Sequence, residues 1–189
     1  MGEAARSIYL MRSGLIKTSL VSPGGHELTL RLHKTGDILG ELCLCIGERR
    51  EQAVALEESG VVEIPLELLL ARLQRDSVAA LEFARASSAR LVETYQRLES
   101  LAAEPVVGRL TRALLDLAAD LGEPVAHGTE IRHHITQEEL GRLISARREV
   151  VSSLLNELRK AGLISYTRRG YIVVDCEALQ NLLESINQA

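Results

Sequence analysis

The chain has 189 residues, 46% of them hydrophobic, 25% charged and only 3% aromatic, with a formal net charge of −4. That composition is ordinary for a soluble globular protein, and no apolar run approaches the roughly 18 residues of a membrane span. The start, Met-Gly-Glu-Ala-Ala-Arg-Ser, has no apolar signal region, so the expected location is the cytoplasm.

The acidic balance excludes a uniformly basic nucleic-acid binder. Even over residues 105–189 acidic side chains outnumber Lys and Arg, so any DNA contact must rest on local clusters: Arg142, Arg147 and Arg148; Arg159 and Lys160; Arg168 and Arg169. Cys43, Cys45 and Cys176 are an odd set without the spacing of a secreted disulfide framework, and read as reduced thiols.

Residues 8–64 read as strands. Ser7–Leu15 and Ile16–Val21 are apolar runs, and Ser22-Pro-Gly-Gly is a turn. Glu27–Leu32 alternates, with Leu28, Leu30 and Leu32 on one face. Ala53–Leu56 and Val61–Ile64 are two further short runs. Short, evenly spaced strands predict a β-roll or barrel.

Pro65 suits a helix start, and Asp76-Ser77 marks an interruption or restart. Beyond it Leu81, Ala84, Ser88, Leu91, Tyr95, Leu98 and Ala102 recur at alternating steps of three and four, a heptad seam. Such a helix either lies on its own β domain or pairs with a second copy. The narrow strip, flanked by Glu82, Arg85, Arg90, Glu93 and Arg97, favours pairing.

Glu104-Pro105 breaks the long helix. Val106–Leu121 is a second amphipathic helix stopped by Gly122; Pro124–Gly128 reads as a loop and Glu130–Ile135 as a strand. Thr136-Gln-Glu-Glu139 is a capping box that opens a short helix with Leu140, Leu143 and Ile144. After a turn at Ser145-Ala146, a helix runs from about Arg147 to Lys160, with Val150, Val151, Leu154, Leu155 and Leu158 as its buried stripe and Gly162 as its stop. Gly141 gives the two helices room to approach. Two strands, Leu163–Tyr166 and Tyr171–Val174, joined by Thr167-Arg-Arg-Gly170, complete a winged helix-turn-helix.

If the stripe faces inward, Arg148, Glu149, Ser152 and Ser153, with Arg147 at the helix start, lie where such a helix enters the major groove. Arg grips guanine through two acceptors and Glu accepts from the cytosine amino group. Thr136 and Gln137 are placed for a phosphate at a helix N-terminus. Arg142, Arg168 and Arg169 are candidates to neutralise further phosphates. Winged helices also serve as protein-interaction modules, which stays open as an alternative. An enzyme is disfavoured: the sequence has no Gly-rich phosphate loop, no G-x-S-x-G and no metal-spaced cluster, hence no catalytic or metal residues. His133-His134, as neighbours on a strand, point oppositely and cannot chelate one ion.

With these residues assembled the chain resembles the Crp/Fnr family of bacterial transcription regulators over nearly its whole length. The strings are G-D-I-L-G-E-L at Gly36–Leu42 with V-A-L-E at Val54–Glu57, then I-T-Q-E-E-L-G-R-L, R-R-E-V-V-S-S-L-L-N-E-L and G-L-I. The resemblance implies an α+β fold: a cyclic-nucleotide-binding-like, jelly-roll-like β-roll over 1–75, a dimerisation helix over 76–104 and a winged helix-turn-helix over 105–189. Family members carry further strands ahead of the segment that Ile8 begins, so the expected roll is truncated at its N-terminus. Expected partners are double-stranded DNA with a palindromic site, a second copy of the chain, and RNA polymerase.

Residue by residue, Arg148 and Glu149 match the family's Arg-Glu pair on the recognition helix, whereas Ser153 stands where a further base-reading Arg is common. Arg147 replaces a capping Ser or Thr, so that either Ser145 takes over the cap or the cap is lost. In the roll Gly40, Glu41 and Leu42 match the effector-pocket motif. Cyclic-AMP members follow it with Arg-Ser, where this chain has Glu51-Gln52; Arg50 is one residue off, and on the long helix Thr94 matches while Tyr95 replaces Ser. Cyclic AMP is therefore not the expected effector and no cofactor is required. Two forms of regulator stay open: one active without ligand, and one gated by another effector or by redox chemistry. The oxygen sensors' iron–sulfur cluster needs four Cys, and in an extended segment Cys43 and Cys45 point to opposite faces.

Overall fold

The computed structural model describes residues 4–188. It divides into two compact units, Met1–Arg97 and Leu98–Ala189.

The first unit is built from two three-stranded antiparallel sheets. β1 (Ser7–Ser13) lies between β4 (Ile38–Leu39) and β6 (Gly60–Pro65), and β2 (Ile16–Val21) lies between β3 (Glu27–His33) and β5 (Gln52–Ala55). Adjacent strands β1 and β2 belong to different sheets, so the chain crosses between layers at Gly14, whose φ of +81° only glycine takes without strain. A Cβ there would also stand 2.4 Å from the Glu58 carbonyl oxygen. Ile8, Met11, Leu15 and Leu39 are buried in the roll, with Ala5, Ile8 and Cys43 forming one cluster and Met11, Ile16 and Leu39 another.

Two short elements depart from expectation. β4 escaped the pattern because two residues cannot establish a period. Cys43–Ile46 forms a single helical turn, α1, rather than an extended segment, closed by Gly47 in the left-handed region. Cys43 and Cys45 therefore do not lie on opposite faces of a strand. Their environments differ instead: Cys43 is buried, its thiol pushed up in pKa by burial, and Cys45 is exposed.

α2 (Leu66–Arg75) starts directly after Pro65, and α3 (Ser77–Ala103) restarts after Asp76. Asp76 Oδ1 accepts from the backbone N–H groups of Val78 and Ala79, both at 3.0 Å, and these bonds hold its carboxyl below the usual range. The interruption expected at Asp76-Ser77 is thus a helix cap.

In the second unit α4 (Val106–Leu121) buries Leu110, Leu114 and Leu117. Gly122 ends it, but the chain then forms β7 (Gly122–Val125), paired with β8 (Gly128–Ile131), where a loop was expected. Pro124 is tolerated because β7 is an edge strand of the sheet β7-β8-β10-β9. β8 ends at Ile131, so His133 and His134 lie beyond it and not on a strand. α5 (Gln137–Ile144), α6 (Arg148–Lys160), β9 (Ile164–Tyr166) and β10 (Ile172–Val174) follow. α7 (Cys176–Asn187), capped by Asp175 through the Ala178 N–H at 3.0 Å, places Leu179 and Leu183 in the core. Among the described residues no helix is long and apolar enough to cross a membrane.

Candidate functional site

The helix-turn-helix is fixed by local chemistry. Thr136 Oγ1 accepts from the Glu139 N–H at 3.1 Å, as the capping box requires. α5 ends at Ser145, the one non-glycine described residue in the left-handed region, at φ 53°. The Ala146 N–H then donates to the Gly141 carbonyl at 2.9 Å. A Cβ on Gly141 would stand 2.6 Å from the Ala146 oxygen, so only glycine fits this turn. Arg109 of α4 donates to the Ile144 carbonyl at 2.8 Å, tying the turn to the domain core.

α6 begins at Arg148 with Arg147 as N-cap and no side-chain cap. Ser145 does not take over the cap, because its left-handed backbone closes the preceding helix. The first-turn N–H groups of α6 thus lack a side-chain acceptor, an arrangement suited to an anion. Val151, Leu155 and Leu158 are buried and Leu154 is half-buried, whereas Val150 is 40% exposed and does not belong to the buried stripe. The stripe is narrower than the sequence implied, since Val150 lies about 100° round the helix from Val151, away from its centre. Arg147, Arg148, Glu149 and Ser153 are exposed and Ser152 is half-buried. Ser153 Oγ is 3.3 Å from Glu157 Oε1.

The wing hairpin pairs Ile172 with Tyr166 and Val174 with Ile164. Its tip closes through Thr167 N–H to the Tyr171 carbonyl at 3.0 Å and Gly170 at φ +82°, leaving Arg168 and Arg169 exposed. A cleft of about 380 Å³ is lined by Thr136 and Gln137 from the start of α5, Asn156 and Arg159 from α6, and Tyr166 and Gly170 from the wing. Arg142 is differently placed. It donates to Glu139 at 2.8 Å and to Glu138 at 2.6 Å, so its charge is already met within α5. His134 packs against Tyr171 with ring centroids 4.7 Å apart. Among the described residues no group of His, Cys, Asp and Glu is arranged to hold a metal ion.

The effector-pocket residues of the roll are only partly brought together. Gly40 adopts φ +85°, and Arg49 donates to its carbonyl at 3.2 Å and also to the Ser7 carbonyl. Arg50, the sequence candidate, is exposed; Leu42 is 44% exposed. Glu41 is bound by Arg90 of α3, whose other nitrogen donates to the Ile38 carbonyl at 2.6 Å. Glu51 lies in the same charge cluster: burial and then Glu41 push its carboxyl up, while Arg90 and Arg49 pull it down. Thr94 Oγ1 donates to the Arg90 carbonyl of its own helix, and Tyr95 is 60% exposed. Glu41 and Glu51 thus share one half-buried cluster with Arg49 and Arg90. Sequence reasoning missed Arg49 and Arg90; partners 49 positions apart leave no local pattern.

The heptad residues of α3 form an exposed stripe, with Leu81, Leu91, Tyr95 and Leu98 between 50% and 60% exposed. The helix nevertheless also lies on its own sheet, through a different face carrying Arg90, Glu93 and Arg97.

Comparison with known proteins places both units. The Crp-like helix-turn-helix domain matches residues 108–182, and the cyclic nucleotide-binding domain matches residues 1–76. The global nitrogen regulator of Synechocystis sp. is 29% identical over 181 residues, 94% of this chain and 80% of that protein. The anaerobic regulatory protein of Bacillus subtilis is 31% identical over 175 residues, 92% of this chain and 74% of that protein. Among solved structures, a CRP-family transcriptional regulator of Thermus thermophilus superposes with a TM-score of 0.80 at 28% identity, covering 97% of this chain and 90% of that one.

Proposed function

Because the chain belongs to the Crp/Fnr family of transcription regulators, we propose that it binds a two-fold symmetric DNA site as a homodimer and reads each half-site with the N-terminal part of α6. Arg148 donates to a guanine, Glu149 accepts from a cytosine amino group, and Arg147, Ser152 and Ser153 border the same edge. Thr136, Gln137, Arg168 and Arg169 hold phosphates on either side and set the register without reading sequence. Arg142 takes a lesser part, since a phosphate must compete with Glu138 and Glu139. The exposed stripe of α3 is the seam between protomers. RNA polymerase is the partner through which a bound dimer acts, in the cytoplasm.

The observation that carries this reading is the uncapped α6 N-terminus with Arg148 and Glu149 exposed beside a wing whose tip holds two exposed arginines. Fluorescence anisotropy on a selected and a scrambled duplex tests it. Arg148→Ala should cost about 1–3 kcal/mol on the selected duplex only. Arg168→Ala should weaken both duplexes alike and lower the salt slope by about one. If Arg148→Ala binds the selected duplex as tightly as the wild type, α6 does not read it through this residue.

A further inference from the structure

We infer that Val150 is a specificity-determining residue of α6 that reads the C5 methyl group of a thymine in each half-site. This rests on the DNA-binding reading above and adds an apolar contact to it. The amphipathic pattern assigns Val150 to the buried stripe, yet it is 40% exposed, whereas Val151 beside it is buried completely. It stands in the first turn of α6, the end that enters the major groove in helix-turn-helix proteins. Side chains three residues apart are neighbours on a helix surface, so Arg147, Val150 and Ser153 form one row. All three are exposed, as are Arg148 and Glu149 in the same turn.

A valine left this open contributes less to the fold than a buried one. It is also a poorer helix former than alanine, because its branched Cβ restricts χ1. The same restriction suits it to recognition. One rotamer dominates in a helix, so its methyl groups are held in place before a partner arrives. Valine neither donates nor accepts a hydrogen bond, and of the groups that base pairs present in the major groove only the thymine methyl is apolar. The sugar–phosphate backbone is the other surface this row could meet, and the row is unsuited to it beyond Val150. There Ser153 Oγ is 3.3 Å from the exposed Glu157 carboxylate, which would repel a phosphate. Packing of Val150 on a thymine methyl removes apolar surface of both partners from water. Cytosine carries no such methyl, so Val150 separates a T·A from a C·G pair without a hydrogen bond.

Fluorescence anisotropy with the full chain on the selected duplex tests this contact. Each thymine of one half-site is replaced in turn by deoxyuridine, which deletes the methyl group and keeps the base pairing. At one thymine the wild type should lose affinity by about four-fold, the factor for one buried methyl group. Val150→Ala should bind the thymine and deoxyuridine duplexes equally at that position, and Val150→Ile should keep the preference. Arg148→Ala should weaken both duplexes and leave their ratio as in the wild type. A wild type indifferent to every thymine methyl, or a Val150→Ala variant that keeps the wild-type ratio, overturns the inference. Loss of the ratio in Val150→Ala beside unchanged affinity in Arg148→Ala supports Val150 and removes Arg148 from the reading face. A wild type that binds no duplex overturns the DNA-binding reading, and this inference with it.

Discussion

Replacing Leu91 and Leu98 together with Glu should convert the proposed dimer into monomers. In one chain Leu81, Leu91, Tyr95 and Leu98 are 51%, 50%, 60% and 57% exposed, so each has about half its surface left to bury. Full burial of such a side chain gives about 1.5–3 kcal/mol, so half burial gives roughly 1 kcal/mol. Four side chains on each of two protomers then contribute on the order of 8 kcal/mol, comparable with the roughly 4–15 kcal/mol lost on association. The seam is therefore close to balance, and Val78 and Val92, 68% and 52% exposed beside it, supply part of the surplus. The double substitution removes the gain from both leucines and places carboxylates from both protomers in the seam, each costing several kcal/mol if kept ionised there. The dimer Kd should rise at least a thousand-fold, equivalent to about 4 kcal/mol. Sedimentation velocity at micromolar protein should show a monomer, with circular dichroism confirming the helices. A dimer of unchanged affinity would refute the stripe as the seam.

Two further substitutions probe the interior. Gly141→Ala forces a methyl group to within 2.6 Å of the Ala146 carbonyl oxygen and should cost about 1–3 kcal/mol, read as a lower Tm. His33 is buried, bonds to Thr18 Oγ1 at 3.0 Å, and is held at a pKa of about 4 by desolvation and then by Arg31. Its folded pKa lies below the unfolded value of 6.5, so the unfolded chain takes up the proton first. Stability is then complete above pH 6.5 and falls as the pH drops toward 4, by on the order of 3 kcal/mol. Urea melts of wild type and His33→Gln across that range should differ in slope by this amount, and parallel curves would show that His33 does not carry the dependence.

The sequence was most legible where contacts are local or periodic. Thr136 and Glu139, Gly141, the Asp76 break and the heptad stripe each follow from spacings of a few residues, and the structure gives each a defined geometry. Val150 was misplaced because periodicity shows a helix face but not how wide the packing partner is. β7 was hidden by Pro124, which reads as a loop signal until the strand is known to be an edge. α7 carries an amphipathic pattern that went unread. The pocket was least legible. Arg90 meets Glu41, and Arg49 meets Ser7, across 49 and 42 residues, and Arg50 stands nearer than Arg49 to the family's arginine position.

Selection of genomic fragments by the purified chain tests sequence-specific DNA recognition by α6 most directly. Wild type and Arg148→Ala are compared at physiological salt without nucleotide. A two-fold symmetric motif should be enriched by the wild type and lost or relaxed at one base pair per half-site in the variant. Enrichment of the same motif by both proteins, or of no symmetric motif by the wild type, would contradict such recognition.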